Sequence, residues 1–155
     1  GKAYYKELQL LIRKHKLEDR VFLKGPTSNV AEVLQGGDIF AFPSAYEGFG
    51  MALGEAMSMG LPAIGYKNCS AVNELIKDEE NGYLCEDGVI SLKRQLKKMM
   101  ENRVMRIKMG MNARSDMKVY SPVHVWNQWD FILKNMTKRT LKDRSFVHLD
   151  RAPTN

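Results

Sequence analysis

Tyr4, Tyr5, Leu8, Leu11 and Ile12 recur at the three- and four-residue spacing of one helix face, so residues 3–16 are predicted helical. Val21-Phe22-Leu23 is a short apolar run closed by Gly25-Pro26, which reads as a strand ending at a turn. Ser28 or Asn29 is placed to cap a brief helix over residues 30–34, which Gly36-Gly37 ends. Asp38-Ile39-Phe40-Ala41-Phe42 reads as a second strand, its continuous apolar run suited to burial on both faces. A polar, glycine-containing loop, residues 43–50, then leads to a helix from about Met51 to Met59, broken by Gly60-Leu61-Pro62. Ala63-Ile64-Gly65-Tyr66 is the third strand, residues 71–77 a short helix, Asn81-Gly82 a turn and Gly82-Tyr83-Leu84 the fourth strand. Periodicity makes residues 89–101, 103–117 and 122–136 helical, with Met99, Met100, Met105 and Met109 placed as core filler.

Strands alternate with helices across short connections, which predicts an α/β domain with a parallel sheet covered by helices on both faces. Ligands of such sheets gather at the carboxyl ends of the strands. A domain of this kind ordinarily opens on a strand and this chain opens on a helix, so its first strand is expected upstream of Gly1. The domain is drawn over residues 1–136, and residues 137–155 are expected to be a polar, frayed tail.

Composition removes several function classes. No apolar run approaches the roughly 20 residues of a membrane span, and the N-terminal residues lack the order of a signal peptide. Cys69 and Cys85 form neither a metal spacing nor a disulfide framework, which suits reduced cytosolic thiols. His15, His124 and His148 make no ligand spacing either. Residues 1–89 hold nine basic and thirteen acidic residues, whereas residues 90–118 hold nine basic and two acidic. The basicity therefore sits on later helices, away from the glycine-bearing loop. It reads first as a solvated face and second as an attraction to anionic lipid, with no nucleic-acid signature beside it.

The chemistry concentrates in Pro43-Ser44-Ala45-Tyr46-Glu47-Gly48-Phe49-Gly50-Met51, followed by Gly54-Glu55-Ala56-Met57. Gly48 and Gly50 permit a left-handed turn and close backbone approach to a ligand. The N–H groups of about residues 49–52, at the start of the following helix, lack intrahelical partners and, with the helix dipole, suit a diphosphate. Glu47 and Glu55 flank this device, and a carboxylate accepts two hydroxyl hydrogen bonds from a sugar or ribose diol. The plainer readings are a dipole-complementing carboxylate for Glu47 and a solvated helix position for Glu55. Gly54, in the helix interior, costs about 1 kcal/mol relative to Ala, which suggests close packing beneath it.

Pro-Ser-x-x-Glu-Gly-Phe-Gly, Glu-Ala-Met beginning eight residues after the first Glu, and Gly-x-Pro together resemble the signature of the family 4 retaining glycosyltransferases of GT-B architecture. The resemblance runs from about Gly1 to Trp129. It includes residues 19–25, Gly37-Asp38-Ile39-Phe40, Glu74-Leu75-Ile76 with residues 81–84, and Tyr120-Ser121 with Trp126. It implies the Rossmann-like, C-terminal, donor-binding half of such an enzyme, moving a hexose from a nucleotide-diphosphate sugar to a glycan or lipid-linked acceptor with retention. Glu47 would be the catalytic-site carboxylate, contacting hydroxyls of the transferred sugar without acting as a nucleophile. Gly48, Phe49, Gly50 and Met51 would face sugar and diphosphate, Glu55 would hold the ribose, and Lys24-Gly25 would lie near the base. The family implies no metal and no cofactor beyond the donor substrate. The expected location is cytoplasmic, as the cysteines suggest, and the basic helices of residues 90–118 suggest a peripheral contact at the inner face of the membrane.

Two departures bear on this. Ser70-Ala71 stand where the family has Gly-Gly, which hinders backbone approach there. The family's diphosphate-gripping Arg and Lys, and its acceptor domain, are expected upstream of Gly1, so this chain is expected to lack turnover alone. Another GT-B enzyme (a sugar-nucleotide epimerase or a phosphorylase) and a non-catalytic nucleotide-binding module are the alternatives.

Overall fold

The computed structural model describes residues 2–144, with side-chain surroundings for residues 3–136. The chain divides into two compact units, one reaching Glu32 and one running from Val33.

In the first unit α1 spans Lys2–Lys14. It stops two residues before the predicted end because Lys16 turns left-handed, with φ of 54°. Leu17 N then bonds Ile12 O at 3.0 Å and Lys16 N bonds Arg13 O at 3.0 Å, the paired closure of a Schellman motif. The strand predicted at Val21-Phe22-Leu23 does not form. A strand needs a neighbour to take its backbone groups, and the ordered elements of this unit are helical. Val21 N instead bonds Leu17 O at 2.9 Å, and Phe22 is exposed. Asn29, of the two candidate caps, closes the next helix: its Oδ1 accepts from Glu32 N at 3.2 Å and its Nδ2 donates to Glu32 Oε2 at 2.8 Å. That helix, α2, is Val30–Gln35.

The second unit is built on a parallel sheet of β1 (Phe40–Phe42), β2 (Ala63–Tyr66) and β3 (Gly82–Cys85), in that order. Phe40 pairs with Ala63, and Ala63 with Gly82. Central β2 is buried from Ala63 to Gly65, as a two-faced strand should be. β1 departs from that expectation. It is an edge strand, with Ala41 exposed and Phe40 and Phe42 half-buried.

Side chains alternate across the sheet and build two cores. On one face Ala63 packs with Leu53 and Met57 of α3 (Met51–Ser58) and with Val72 and Leu75 of α4 (Ser70–Leu75). On the other, Ile64, Tyr83 and Cys85 pack with Met99 of α5 (Val89–Glu101) and Met109 of α6 (Arg103–Asp116). Helices therefore cover both faces, as predicted. Met99 and Met109 fill the core, and half-buried Met105 accepts the Tyr83 hydroxyl at 3.0 Å. Met100 does not belong with them: it is exposed at the end of α5. Both cysteines are free and buried, and burial is the main cause that pushes the Cys85 thiol up.

Three junctions hold these layers together. Asn102 ends α5 and begins α6, where its Oδ1 accepts from Met105 N at 3.0 Å. Arg106 reaches back from α6 to the carbonyl oxygens of Met99 at 3.0 Å and Met100 at 2.6 Å, satisfying the open end of α5. Asn81, fully buried before β3, donates to Leu75 O at 3.1 Å and to Asp116 Oδ2 at 2.8 Å, and accepts from Lys77 N at 2.9 Å. Lys77 Nζ donates to the other Asp116 oxygen at 2.9 Å. At the third junction Gly110 of α6 lies against the turn after α3, where an added Cβ would stand 2.1 Å from Gly60 O. The described residues close with a 3-10 turn, Met117–Tyr120, and α7, Pro122–Arg144, which runs past the predicted boundary at residue 136. Residues 145–155 of the predicted tail, with His148, lie outside the described residues.

Candidate functional site

The loop after β1 is organised by Ser44. Its Oγ donates to Glu47 Oε1 at 2.9 Å and lies 3.1 Å from Tyr46 O. Glu47 is half-buried and thereby held within the loop, while the neighbouring Tyr46 and Gly48 are exposed. In the sequence Ser44 stands only as part of the Pro-Ser-x-x-Glu pattern. The three-residue interval from Ser44 to Glu47 was the signal for the hydrogen bond.

The loop ends at Gly50, which is buried and takes φ 74° and ψ 48° as the N-cap of α3. A side chain there would cost roughly 1–2 kcal/mol, so glycine fits for a conformational reason. It also leaves α3 without a side-chain cap. The first amide to bond within the helix is Gly54 N, to Gly50 O at 3.0 Å. The amides of Met51, Ala52 and Leu53 thus form an uncapped helix start with its positive dipole end, an arrangement suited to an anion.

α3 buries Leu53, Ala56 and Met57 and turns Met51, Glu55 and Ser58 toward a cavity of about 500 Å³. Opposite them stand Arg114 of α6, Lys118 and Tyr120 of the 3-10 turn, and Ser121. Phe49 meets Tyr120 edge to face, with ring centroids 5.4 Å apart and planes at 73°. One carboxylate, two cations, two hydroxyl-bearing serines and an aromatic pair therefore line a single cavity. That chemistry suits a ligand with hydroxyls, a flat ring and negative charge.

The structure brings Phe49, Met51 and Glu55 together in this cavity, while Glu47, Gly48 and Gly50 belong to the loop and cap beside the helix start. Lys24 and Gly25 stand in the first unit. There Lys24 Nζ lies 5.3 Å from the Phe22 ring centroid, and Gly25 takes φ 72°. Arg114, Lys118 and Ser58 had no signal in the sequence, because their place depends on how α6 packs beside α3. Tyr120-Ser121 is legible in the sequence only as the start of the terminal helix.

Gly54 corrects an expectation. A Cβ added there would meet Leu75 Cδ1 at 4.0 Å, an ordinary contact, so close packing does not explain it. It lines the cavity beside Glu55 instead. Gly54→Ala is expected to raise unfolding stability by about 0.5–1 kcal/mol through helix propensity, read as a higher urea midpoint. An unchanged or lower midpoint would show that the space is not open. Among the described residues, no group of three or more His, Cys, Asp or Glu is gathered to hold a metal ion. None of their helices is long and apolar enough to cross a membrane.

Residues 1–116 match the family described as glycosyl transferases group 1. The chain belongs to that family. Its sequence is 36% identical over 115 residues to N-acetyl-alpha-D-glucosaminyl L-malate synthase of Bacillus anthracis, an alignment covering 74% of this chain and 30% of that protein. It is 34% identical over 100 residues to the UDP-Gal:alpha-D-GlcNAc-diphosphoundecaprenol alpha-1,3-galactosyltransferase of Escherichia coli, covering 64% of this chain and 25% of the relative. Among solved structures, Anabaena HepE in complex with UDP superposes with a TM-score of 0.80 at 26% identity, over 86% of this chain and 37% of that one. This group 1 glycosyltransferase domain thus spans about a third or less of the length of the curated relatives it matches. Its fold is the Rossmann-like, parallel-sheet α/β architecture of the GT-B glycosyltransferases; the strand–helix alternation implied the parallel sheet, and the motif resemblance implied GT-B.

Proposed function

We propose that the chain is the donor-binding half of a retaining, family 4-type glycosyltransferase that moves a hexose from a nucleotide-diphosphate sugar to a glycan or lipid-linked acceptor. The observation that carries this reading is the uncapped start of α3, with Glu47 held on the loop before it and Glu55 in the cavity on its outer face. In this reading the Met51, Ala52 and Leu53 amides receive the diphosphate, and their fixed dipoles stabilise the charge that grows on it as the sugar departs. Glu47, kept in place by Ser44, takes hydroxyls of the transferred sugar. It is a positioning carboxylate and not a nucleophile, because retention proceeds by attack from the face the diphosphate leaves. Glu55 accepts the ribose hydroxyls. The substrate is the donor itself, with no metal and no further cofactor assigned. The HepE structure solved with UDP supports the donor class.

Transfer is proposed for a longer enzyme working at the inner face of the cytoplasmic membrane, with the acceptor on its other domain. The chain alone is expected to show no turnover. Calorimetric titration with UDP, GDP and ADP tests the donor site. One of the three should bind, and Glu55→Ala should weaken it roughly tenfold or more, as loss of charge-assisted hydrogen bonds to a diol requires. Equal affinity in the variant, or no binding of any nucleotide, would remove the donor reading.

A further inference from the structure

α5 and α6 present an outward surface that neither the sheet nor the donor site uses. Along one flank of α5, where Leu92 and Leu96 are half-buried against the core of Met99, runs a groove of about 460 Å³ lined by Val89, Leu92, Leu96 and Met100, with Lys93 and Lys97 along it. Val89 and Ile90, at the start of the helix, are 79% and 86% exposed. On α6, Val104, Ile107, Lys108 and Met111 recur at three- and four-residue spacing, which places them on one helix face, and all are exposed. The two apolar stripes approach each other at the one-residue joint, with Met100 before Asn102 and Val104 after it.

The charges around these stripes are mostly basic. Lys93, Arg94, Arg103 and Lys108 are exposed beside them, whereas Glu101 lies 3.7 Å from Lys97 and Asp87 is exposed just before the N-cap of α5. Other cations of the two helices are engaged elsewhere: Lys98 with Glu79, and Arg106 with the α5 carbonyls. Exposed Val, Ile and Met between long basic side chains make a two-part surface. The apolar groups can enter the boundary of a bilayer while the Lys and Arg stems lie flat and keep their charges at headgroup level. A second copy of this chain would bring the same positive charges against them.

We infer that the α5–α6 face docks on a membrane surface rich in anionic lipid. The inference stands on these exposed residues and not on the donor site. Its link to the proposed function is that it would hold the catalytic cleft near lipid-linked acceptors.

Co-sedimentation of the full chain with vesicles tests it, comparing phosphatidylcholine alone with phosphatidylcholine containing phosphatidylglycerol. Binding should require the anionic lipid and fall as salt rises. Lys93→Gln combined with Lys108→Gln should weaken it roughly twenty-fold or more, taking each charge at about fivefold. Val104→Ser with Ile107→Ser should also reduce it. All four side chains are exposed, and an unchanged thermal midpoint confirms that the variants fold. Glu55→Ala should sediment like the parent, so loss of the donor reading leaves this result standing. Equal binding to both vesicles, no binding to either, or parent-like binding by the lysine pair would overturn the inference.

Discussion

Gly110→Ala should destabilise the protein by roughly 2–3 kcal/mol, lowering the urea midpoint by on the order of 1 M. Helix propensity alone gives the opposite sign, since Ala is favoured over Gly by about 1 kcal/mol inside a helix. The steric term decides. An added Cβ would stand 2.1 Å from the Gly60 carbonyl oxygen and 3.4 Å from Pro62 Cδ, and the first of these is backbone that cannot rotate away. α6 would have to lift from the turn after α3, disturbing the packing of Ala113 and Met109, which lie in the two cores. Gly54 is the internal control, because alanine there meets only an ordinary contact. Opposite shifts for the two substitutions would show that packing and not composition sets the role of each glycine. A Gly110→Ala midpoint at or above the parent would contradict this account.

Asn81→Ala should cost about 3 kcal/mol. Its side chain makes three hydrogen bonds with no exposed surface, and truncation leaves Leu75 O and Lys77 N without those partners. The same junction should give stability a pH dependence. The Lys77 hydrogen bond is the leading cause holding the Asp116 carboxyl below its usual range, with burial opposing it and the Asn81 hydrogen bond assisting. Because the folded value is depressed, its contribution is fully present above the unfolded value of about 3.9 and is lost as pH falls through the folded one. Denaturation of the parent and Asp116→Asn should therefore differ at neutral pH and converge below about pH 4. A constant gap across that range would assign the effect to shape and not to ionisation.

Much of the fold was legible because its strands carry local signals. Ala63–Tyr66 and Gly82–Cys85 are short apolar runs marked by a Pro or Gly at one end, Pro62 and Gly82, and both became paired strands. Val21-Phe22-Leu23 carries the same local signal and formed none, since pairing is a property of two segments and not of one. Burial on both faces likewise proved true of β2 and not of β1, because sheet position is not written in a strand's own residues. The candidate site divides in the same way. Glu47, Gly50 and Glu55 stand within nine residues on a loop and helix that follow one another, so spacing alone could place them. Arg114, Lys118 and Tyr120 complete the cavity from some sixty residues further along, through the seating of α6. Periodicity also led Met100 into the core. It follows buried Met99 directly, and at the end of α5 a step of one residue turned it to solvent.

The joint at Asn102 has a dynamic consequence. One residue serves as the C-cap of α5 and the N-cap of α6, and Arg106 binds the carbonyls that α5 leaves open. Neither helix end can fray without undoing the other. In amide hydrogen exchange the last turn of α5 and the first turn of α6 should open together as one cooperative unit, and Arg106→Ala should speed exchange on both sides of the corner.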